Sequence, residues 1–337
     1  MKLGAVYSDN VNALYRVVIP MRELQRRNHE VVGAMLARGE RLQIEPLADC
    51  ELVQIHRMRF FDDDDPVARL KEAGVAICFD EDDDMSAGTA EVEAIVGNET
   101  YASGRRNFDR LLEKMPEADL VTTPSETLAD RFEAAGARTI EVIDNYLLDE
   151  LVGTNSLGHE GFVVGWHACA EHVIDAERLG LGEVFKRLLG THPDLIVKTI
   201  GVDLELDHER YVASRSVPFN LLTQHLADFD IGIAPLADTT FGRGRSNVKV
   251  REYAAAGVPW LASNLGPYRD LGPSQGGLLV DDGDWYAALD ELIRDDRARR
   301  AQSERARRWG TYETISNTVH LWEEAFQETI AETHATT

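Results

Sequence analysis

Phe241-Gly-Arg-Gly-Arg-Ser-Asn-Val-Lys-Val-Arg-Glu-Tyr-Ala-Ala-Ala-Gly-Val-Pro259 decides the reading of this chain. It follows a short apolar run, Ile231-Gly-Ile-Ala-Pro235, which predicts a buried strand ended by proline. A loop with two arginines and two glycines comes next and predicts a helix opening at Ser246. Gly257 closes that helix and Pro259 prevents its continuation. Ser246, Lys249 and Glu252 fall at i, i+3 and i+6, so they share one helix face. Arg243 and Arg245 precede the helix, and Asn247 lies in its first turn. Free N–H groups and the helix dipole favour an anion there, and Arg243, Arg245 and Lys249 make the site suit a diphosphate. Glu252, one turn further in, suits hydroxyl donors such as those of a ribose. A solvated basic helix end with a structural Glu–Lys pair would carry the same residues, and on spacing alone both readings stand.

Working outward, 337 residues suffice for two medium domains or one large one. Lys plus Arg is 35 and Asp plus Glu is 59, a net charge of −24, which disfavours non-specific binding to nucleic acid or anionic lipid. No apolar run is long enough for a membrane span, and the N-terminus enters a strand-like run without a signal-peptide core. Cys50, Cys78 and Cys169 lie far apart, without metal-ligand spacing, and read as reduced, buried cytoplasmic thiols. The expectation is a cytoplasmic protein.

Short apolar runs alternate with helical segments, which predicts α/β construction. Strands are expected at Leu3–Tyr7, from His29, at Leu52–Ile55, Val75–Phe79, Ala118–Val121 and Thr139–Ile143, with a helix over about 13–27. Composition turns polar over 144–160. A second series follows, with strands at Phe162–Trp166, Leu195–Ile200, Ile231, Trp260–Ala262 and Gly277–Val280, then a long charged helical tail with a break at Gly310. These expectations divide the chain into an N-terminal Rossmann-like domain over 1–150, a linker over 151–160, a second Rossmann-like domain over 161–312, and a helix over 313–337. Two such domains facing across a cleft would hold ligands at the carboxyl ends of both sheets.

Phe241, Ser246, Lys249, Glu252, Tyr253, Ala254, Ala255, Gly257 and Pro259 together resemble the donor-binding helix of group-1 glycosyltransferases of the GT-B fold, in particular a bacterial and phage-type branch. Arg245 stands where lysine is usual in that pattern. The resemblance extends to Tyr15-Arg16, Pro20-Met21, Leu24 and His29-Glu30-Val31, to Ala118 through Leu128, and to Val142-Ile-Asp-Asn145. Gly165-Trp166 with His172 and Asp175 is similar to the family's donor-facing Gly-Trp loop, although Ala168 and Cys169 replace its glycine and serine. Gly244 stands where a sugar-reading glutamate, eight positions before Glu252, is the family's habit.

The resemblance implies a GT-B enzyme that moves a sugar from a nucleotide-diphosphate sugar, with retention, no metal and no other cofactor. The acceptor stays open between a saccharide, another small molecule, a protein and a modified nucleobase. It also implies a final helix that crosses back to the N-terminal domain. Donor-binding residues would be Arg243, Arg245, Ser246, Asn247, Lys249, Glu252, Gly165, Trp166 and Arg16, with His172, Arg245, Lys249 and His56 in catalytic roles. His56 follows the strand Val53-Gln-Ile55 and would project into the cleft as a proton-transfer group, or serve as a loop histidine bonded to backbone. Arg16 would meet a donor phosphate or an acceptor anion, or lie on the surface.

Two acidic runs stand apart. Asp80-Glu-Asp-Asp-Asp84 follows an apolar strand and would serve as a solvated loop, as acceptor-site carboxylates or as a metal site. Asp62–Asp65 precedes Pro66 and a helix, where acids stabilise a helix start. Two other classes compete with the transferase: a GT-B sugar-nucleotide 2-epimerase, and a non-catalytic partner that keeps the fold.

Overall fold

The computed structural model describes residues 1–8, 13–36, 42–57, 65–86, 92–94 and 98–336. Asp62, Asp63 and Asp64 lie outside the described residues. Asp65 caps the helix Pro66–Glu72, accepting from the Ala68 N–H at 3.1 Å, as an acid at a helix start should.

Among the described residues, twelve strands form two six-stranded sheets. The first holds β1 (Lys2–Tyr7), β2 (Glu30–Met35), β3 (Leu52–His56), β4 (Ala76–Asp80), β5 (Leu120–Thr123) and β6 (Ile140–Val142), in the order β2-β1-β3-β4-β5-β6. The second holds β7 (Phe162–His167), β8 (Leu195–Ile200), β9 (Tyr211–Ser214), β10 (Ile231–Ala234), β11 (Trp260–Ser263) and β12 (Gly277–Val280), in the order β12-β11-β10-β7-β8-β9. Every pairing is parallel. Parallel strands need helical crossovers that cover both faces, which is why β3, β4, β10 and β11 are buried along their whole length. Strand order reverses between β1 and β3 in one sheet and between β7 and β10 in the other. Such switch points open a crevice at the carboxyl strand ends.

Alternation along each strand assigns residues to faces. Leu52, Ala76, Cys78 and Leu120 pack with Ile315, Val319, Trp322 and Phe326 of the C-terminal helix Ile315–Thr336. Val53, Ile55, Ile77, Phe79 and Val121 pack on the opposite face with Phe108 and Phe132. In the second sheet Val164 and Trp166 face Leu181 and Phe185, while Val163 faces Phe229, Val250 and Tyr253.

Four local expectations need correction. The polar strand β9 has no apolar run to announce it, because it is a half-exposed sheet edge. The tail helix Asp296–Tyr312 runs through Gly310, whose missing Cβ lets it lie against the Ala254 backbone, and the break comes at 313–314. The segment over 13–27 is not one α-helix. Leu14–Val18 forms a π-helical turn before the helix Ile19–Arg26, and that turn carries Tyr15 and Arg16. Finally, Cys169 is exposed, whereas Cys50 and Cys78 are buried.

Candidate functional site

The stretch 239–259 folds as two helices. Thr239 caps a short helix, Thr240–Arg243, by accepting from the Gly242 N–H at 2.9 Å. The longer helix spans Val248–Ala255, so it begins two residues after the expected Ser246. Gly257 closes it at φ +71°, a conformation glycine adopts without strain. Gly165 and Gly232 leave the sheet bare beneath it. A Cβ at Gly165 would sit 2.2 Å from the Phe229 ring, and one at Gly232 2.7 Å from the Tyr253 ring. With both rings seated, the Tyr253 hydroxyl donates to Ile233 O at 2.8 Å and accepts from the His167 N–H at 3.0 Å. This fixes the helix on the carboxyl ends of β7 and β10 and turns Lys249 and Glu252 toward the N-terminal half.

Glu252 is the centre of one cluster. Its Oε1 accepts from the Tyr15 hydroxyl at 2.7 Å; its Oε2 lies 3.1 Å from His167 Nδ1 and 3.6 Å from Lys249 Nζ. Burial alone would raise this carboxyl. The charges of Lys249 and His167 and the hydrogen bonds from His167 and Tyr15 outweigh it and hold Glu252 at about 2. His167 Nδ1 also lies 3.3 Å from Lys249 Nζ. Burial first, and the Lys249 charge second, push the His167 pKa down. The imidazole nitrogen there accepts a hydrogen bond from Lys249 or donates one to Glu252, according to its tautomer.

Arg245 is the centre of the second. Its NH1 donates to Asp83 Oδ1 at 2.7 Å, and its NH2 lies 2.8 Å from His172 Nε2 and 3.3 Å from Glu171 Oε1. The guanidinium stacks 4.7 Å over the Phe241 ring. Burial would lower its pKa, but Asp83 and Glu171 raise it further, so the cation is secure. Arginine has no acceptor, so His172 Nε2 carries the lone pair and Nδ1 the proton, which goes to Asp175 Oδ2 at 2.7 Å. Asp175 Oδ1 in turn accepts from the Ala237 N–H at 2.8 Å. Glu171, His172, Asp175, Thr239, Phe241 and Arg245 line a cavity of about 20 Å³, the room of a single water.

The other expected residues are placed elsewhere. Arg243 pairs with Asp238 at 2.6 Å and stays 54% exposed, apart from Arg245. Ser246 and Asn247 face the chain crossing: Asn145 donates to Ser246 Oγ at 3.2 Å, and Asn247 donates to Asp144 at 2.9 Å. Arg251 joins them there, accepted by Asn247 Oδ1 at 2.8 Å, ion-paired with Asp144 and Glu313, and flanked by Tyr146 and Trp309. Gly165 is covered by Phe229, and Trp166 points into the core, 2% exposed. Both support the sheet under the site.

Arg16 and His56 are buried instead of lying at the surface or in the cleft. Gln54, His56, Asp80 and Thr122 share the sheet face beneath the C-terminal helix. Asp80 accepts from Arg16 NH2 at 2.8 Å, from Thr122 Oγ1 at 2.6 Å and lies 2.7 Å from His56 Nδ1. Arg16 also reaches Ile143 O and Asn145 Oδ1 and stacks 4.8 Å from the Trp322 ring. Burial opposes the Asp80 charge, yet Arg16 and then His56 hold its pKa at about 2. His56 Nε2 is buried without a hydrogen-bond partner.

The rest of the acidic run is threaded with arginines. Arg57 pairs with Asp82 at 2.8 Å and Asp83 at 2.6 Å, and Arg131 with Asp84 at 2.6 Å. Burial pushes Glu81 up to about 7 against the opposing charge of Arg57. Among the described residues no group of three His, Cys, Asp or Glu side chains is arranged to hold a metal ion, and no helix is long and apolar enough to cross a membrane. Tyr15, His167, Asp83 and Glu171 were missed as site residues. The only sequence signal for His167 is its position after Gly165-Trp166 at a strand end, and Asp83 is hidden within the acidic run.

No family model matches the sequence, and no curated protein matches it. Solved structures do match. Anabaena HepE in complex with UDP-glucose aligns with TM-score 0.64 at 14% identity, over 100% of both chains. Trehalose-6-phosphate synthase, described for glycosyl transfer with retention, aligns with TM-score 0.64 at 12% identity, over 97% of this chain and 99% of that one. A protein provisionally named UDP-N-acetylglucosamine 2-epimerase, from Listeria monocytogenes, aligns with TM-score 0.58 at 11% identity, over 98% and 97%. The chain matched in the GtfA/B complex is longer: at TM-score 0.58 and 12% identity this protein covers 57% of it, using 83% of its own length. Likeness at these identities establishes the fold, which is GT-B: two Rossmann-like α/β units, each with a six-stranded parallel sheet.

Proposed function

We propose that this protein is a glycosyltransferase that takes its sugar from a nucleoside-diphosphate donor held by the second half, 161–312, while the first half, 1–150, offers the acceptor side. The segment 151–160 acts as the linker and 313–337 as the helix that returns to the first half. The observation that carries the reading is that the helix region 245–252 presents a half-buried cation, Arg245, and an ionised carboxylate, Glu252, with Lys249 3.6 Å from that carboxylate. Similarity in fold to HepE with bound UDP-glucose supports the same placement of a donor.

In this reading Arg245 and Lys249 neutralise the diphosphate as the sugar–phosphate bond breaks and negative charge builds on the leaving group. Glu252 accepts hydrogen bonds from the ribose. His172 holds Arg245 in position and does not itself move a proton. The donor is a substrate and no other cofactor is required by this chemistry. Retention rests on the family resemblance and on the fold shared with trehalose-6-phosphate synthase.

The epimerase reading keeps one supporting observation, the shared fold of the Listeria protein. One experiment separates them. UDP-glucose and UDP-N-acetylglucosamine are incubated with the protein, with and without saccharide acceptors, and products are followed by NMR. Acceptor-dependent release of UDP is expected; an epimeric nucleotide sugar formed without acceptor would overturn the transferase.

A further inference from the structure

Two of the three proposed donor-binding groups of the second half, Arg245 and Glu252, are already occupied by side chains of the first. Arg245 NH1 donates to Asp83 Oδ1 at 2.7 Å, and Glu252 Oε1 accepts from the Tyr15 hydroxyl at 2.7 Å. Asp83 comes from the loop after β4, and Tyr15 from the π-helical turn after β1. We propose that these two contacts form an autoinhibitory clasp in which the N-terminal half imitates the two ends of the donor: the Asp83 carboxylate stands on Arg245 in place of a phosphate oxygen, and the Tyr15 hydroxyl stands on Glu252 in place of a ribose hydroxyl. The proposal rests on the donor-site reading above and adds that the site is shut until the donor displaces both residues.

The chemistry of each contact matches the group it replaces. An arginine fork takes carboxylate and phosphate oxygens in the same geometry. A carboxylate accepts from a phenol as it would from a sugar hydroxyl. The two substitutes sit on separate elements, so their coincidence on one donor site does not follow from a single packing choice.

The clasp is also built to open. Asp83 keeps a second partner, Arg57 NH2 at 2.6 Å, so leaving Arg245 does not strand it as an unpaired buried charge. Burial would neutralise Asp83, but Arg245 and Arg57 hold its pKa down, so the substitute anion persists at neutral pH. Arg245 retains His172 and Glu171 when Asp83 leaves, and a diphosphate offers it more negative charge than one carboxylate. Tyr15 packs edge-on against Phe219 of the second half, ring centroids 5.5 Å apart, so its departure separates the halves at the cleft. The contacts at Asp144, Asn145 and Arg251 lie at the chain crossing, where Leu147 pairs with Thr314, and serve as the hinge about which that separation occurs.

Because the competent open form is a fraction of the population, apparent donor affinity is lowered by that fraction. Isothermal titration of UDP, with GDP, ADP, CDP and dTDP as further probes, into wild type, Asp83→Asn, Tyr15→Phe and the double variant reads this directly. Each single variant is expected to bind its nucleotide about three- to tenfold tighter than wild type, and the double variant tighter still. Each should also melt lower without ligand, while gaining a larger shift on binding. Equal or weaker binding by the single variants, with wild type binding normally, would overturn the clasp and leave the donor site standing. Binding by the double variant and not by wild type would support the clasp. Loss of that binding on adding Lys249→Ala would support the donor site beneath it. Absence of binding for all five nucleotides in wild type and double variant would overturn both.

Discussion

His172 accepts a hydrogen bond from Arg245 at 2.8 Å while Asp175 holds its other nitrogen at 2.7 Å, which makes the histidine the fixed point for the guanidinium. Its role is positioning. His172→Ala frees Arg245 to collapse onto Asp83 and Glu171, so nucleoside-diphosphate affinity should fall about tenfold, the worth of one hydrogen bond to a charged group. Titration calorimetry checks this, with thermal melting to confirm the fold. Unchanged affinity would mean that Arg245 is oriented without the histidine.

Glu81 gives the fold a pH signature. Its folded pKa of about 7 lies above the 4.5 of an unperturbed glutamate, so between those values the folded state holds a proton that the unfolded state has lost. Stability from this group is therefore fully present below about pH 4.5 and lost as pH rises through about 7. The loss should be on the order of 3 kcal/mol. Urea denaturation across pH 4.5–8 measures the slope, and Glu81→Gln should flatten it. An identical slope in the variant would assign the effect to other groups.

Asp80 works in the opposite sense and in another window. Its folded pKa of about 2 lies below the ordinary 3.8, so its contribution is present above about pH 4 and disappears as pH falls toward 2. Removing its arginine partner should be severe at any pH, because a buried carboxylate is left uncompensated. Arg16→Met should cost about 3–5 kcal/mol in denaturant unfolding at pH 7. A cost below about 1 kcal/mol would show that Thr122 and His56 alone suffice for Asp80.

Gly165 tests a structural role at a position where the resemblance implies donor binding. A methyl group there would meet the Phe229 ring at 2.2 Å, well inside contact distance. Gly165→Ala should therefore destabilise the protein by about 1–3 kcal/mol or more through overpacking. The loss should appear in melting temperature before it appears in nucleotide affinity at a temperature where the variant stays folded. Lost affinity with unchanged stability would return Gly165 to the binding site.

The sheets were legible because buried parallel strands are written as short apolar runs such as Ala76-Ile-Cys-Phe79, and because Gly257 and Pro259 punctuate the helix before them. β9 was not, since an edge strand needs no apolar run. The spacing of Lys249 and Glu252 correctly put them on one face. The same local pattern could not tell that Ser246 and Asn247 turn to the chain crossing, or that Arg243 finds Asp238. Those choices depend on Asp144, Asn145 and the fold around them. Arg16 and His56 were misread for the same reason. Their partner Asp80 lies on β4, where register, which no single strand reveals, sets it beside His56, and the turn after β1 brings Arg16 onto it under Trp322.

The proposed donor site of the second half holds a nucleoside diphosphate through Arg245, Lys249 and Glu252. Lys249 lies 3.6 Å from Glu252, which keeps Tyr15 and His167 as hydrogen-bond partners when the lysine is removed, so the variant should stay folded. The decisive measurement is UDP titration, with the other nucleoside diphosphates in parallel, against wild type and Lys249→Ala at matched melting temperature. Saturable binding by wild type and a loss of about tenfold or more in the variant are expected. Equal binding by both proteins would contradict the proposed site.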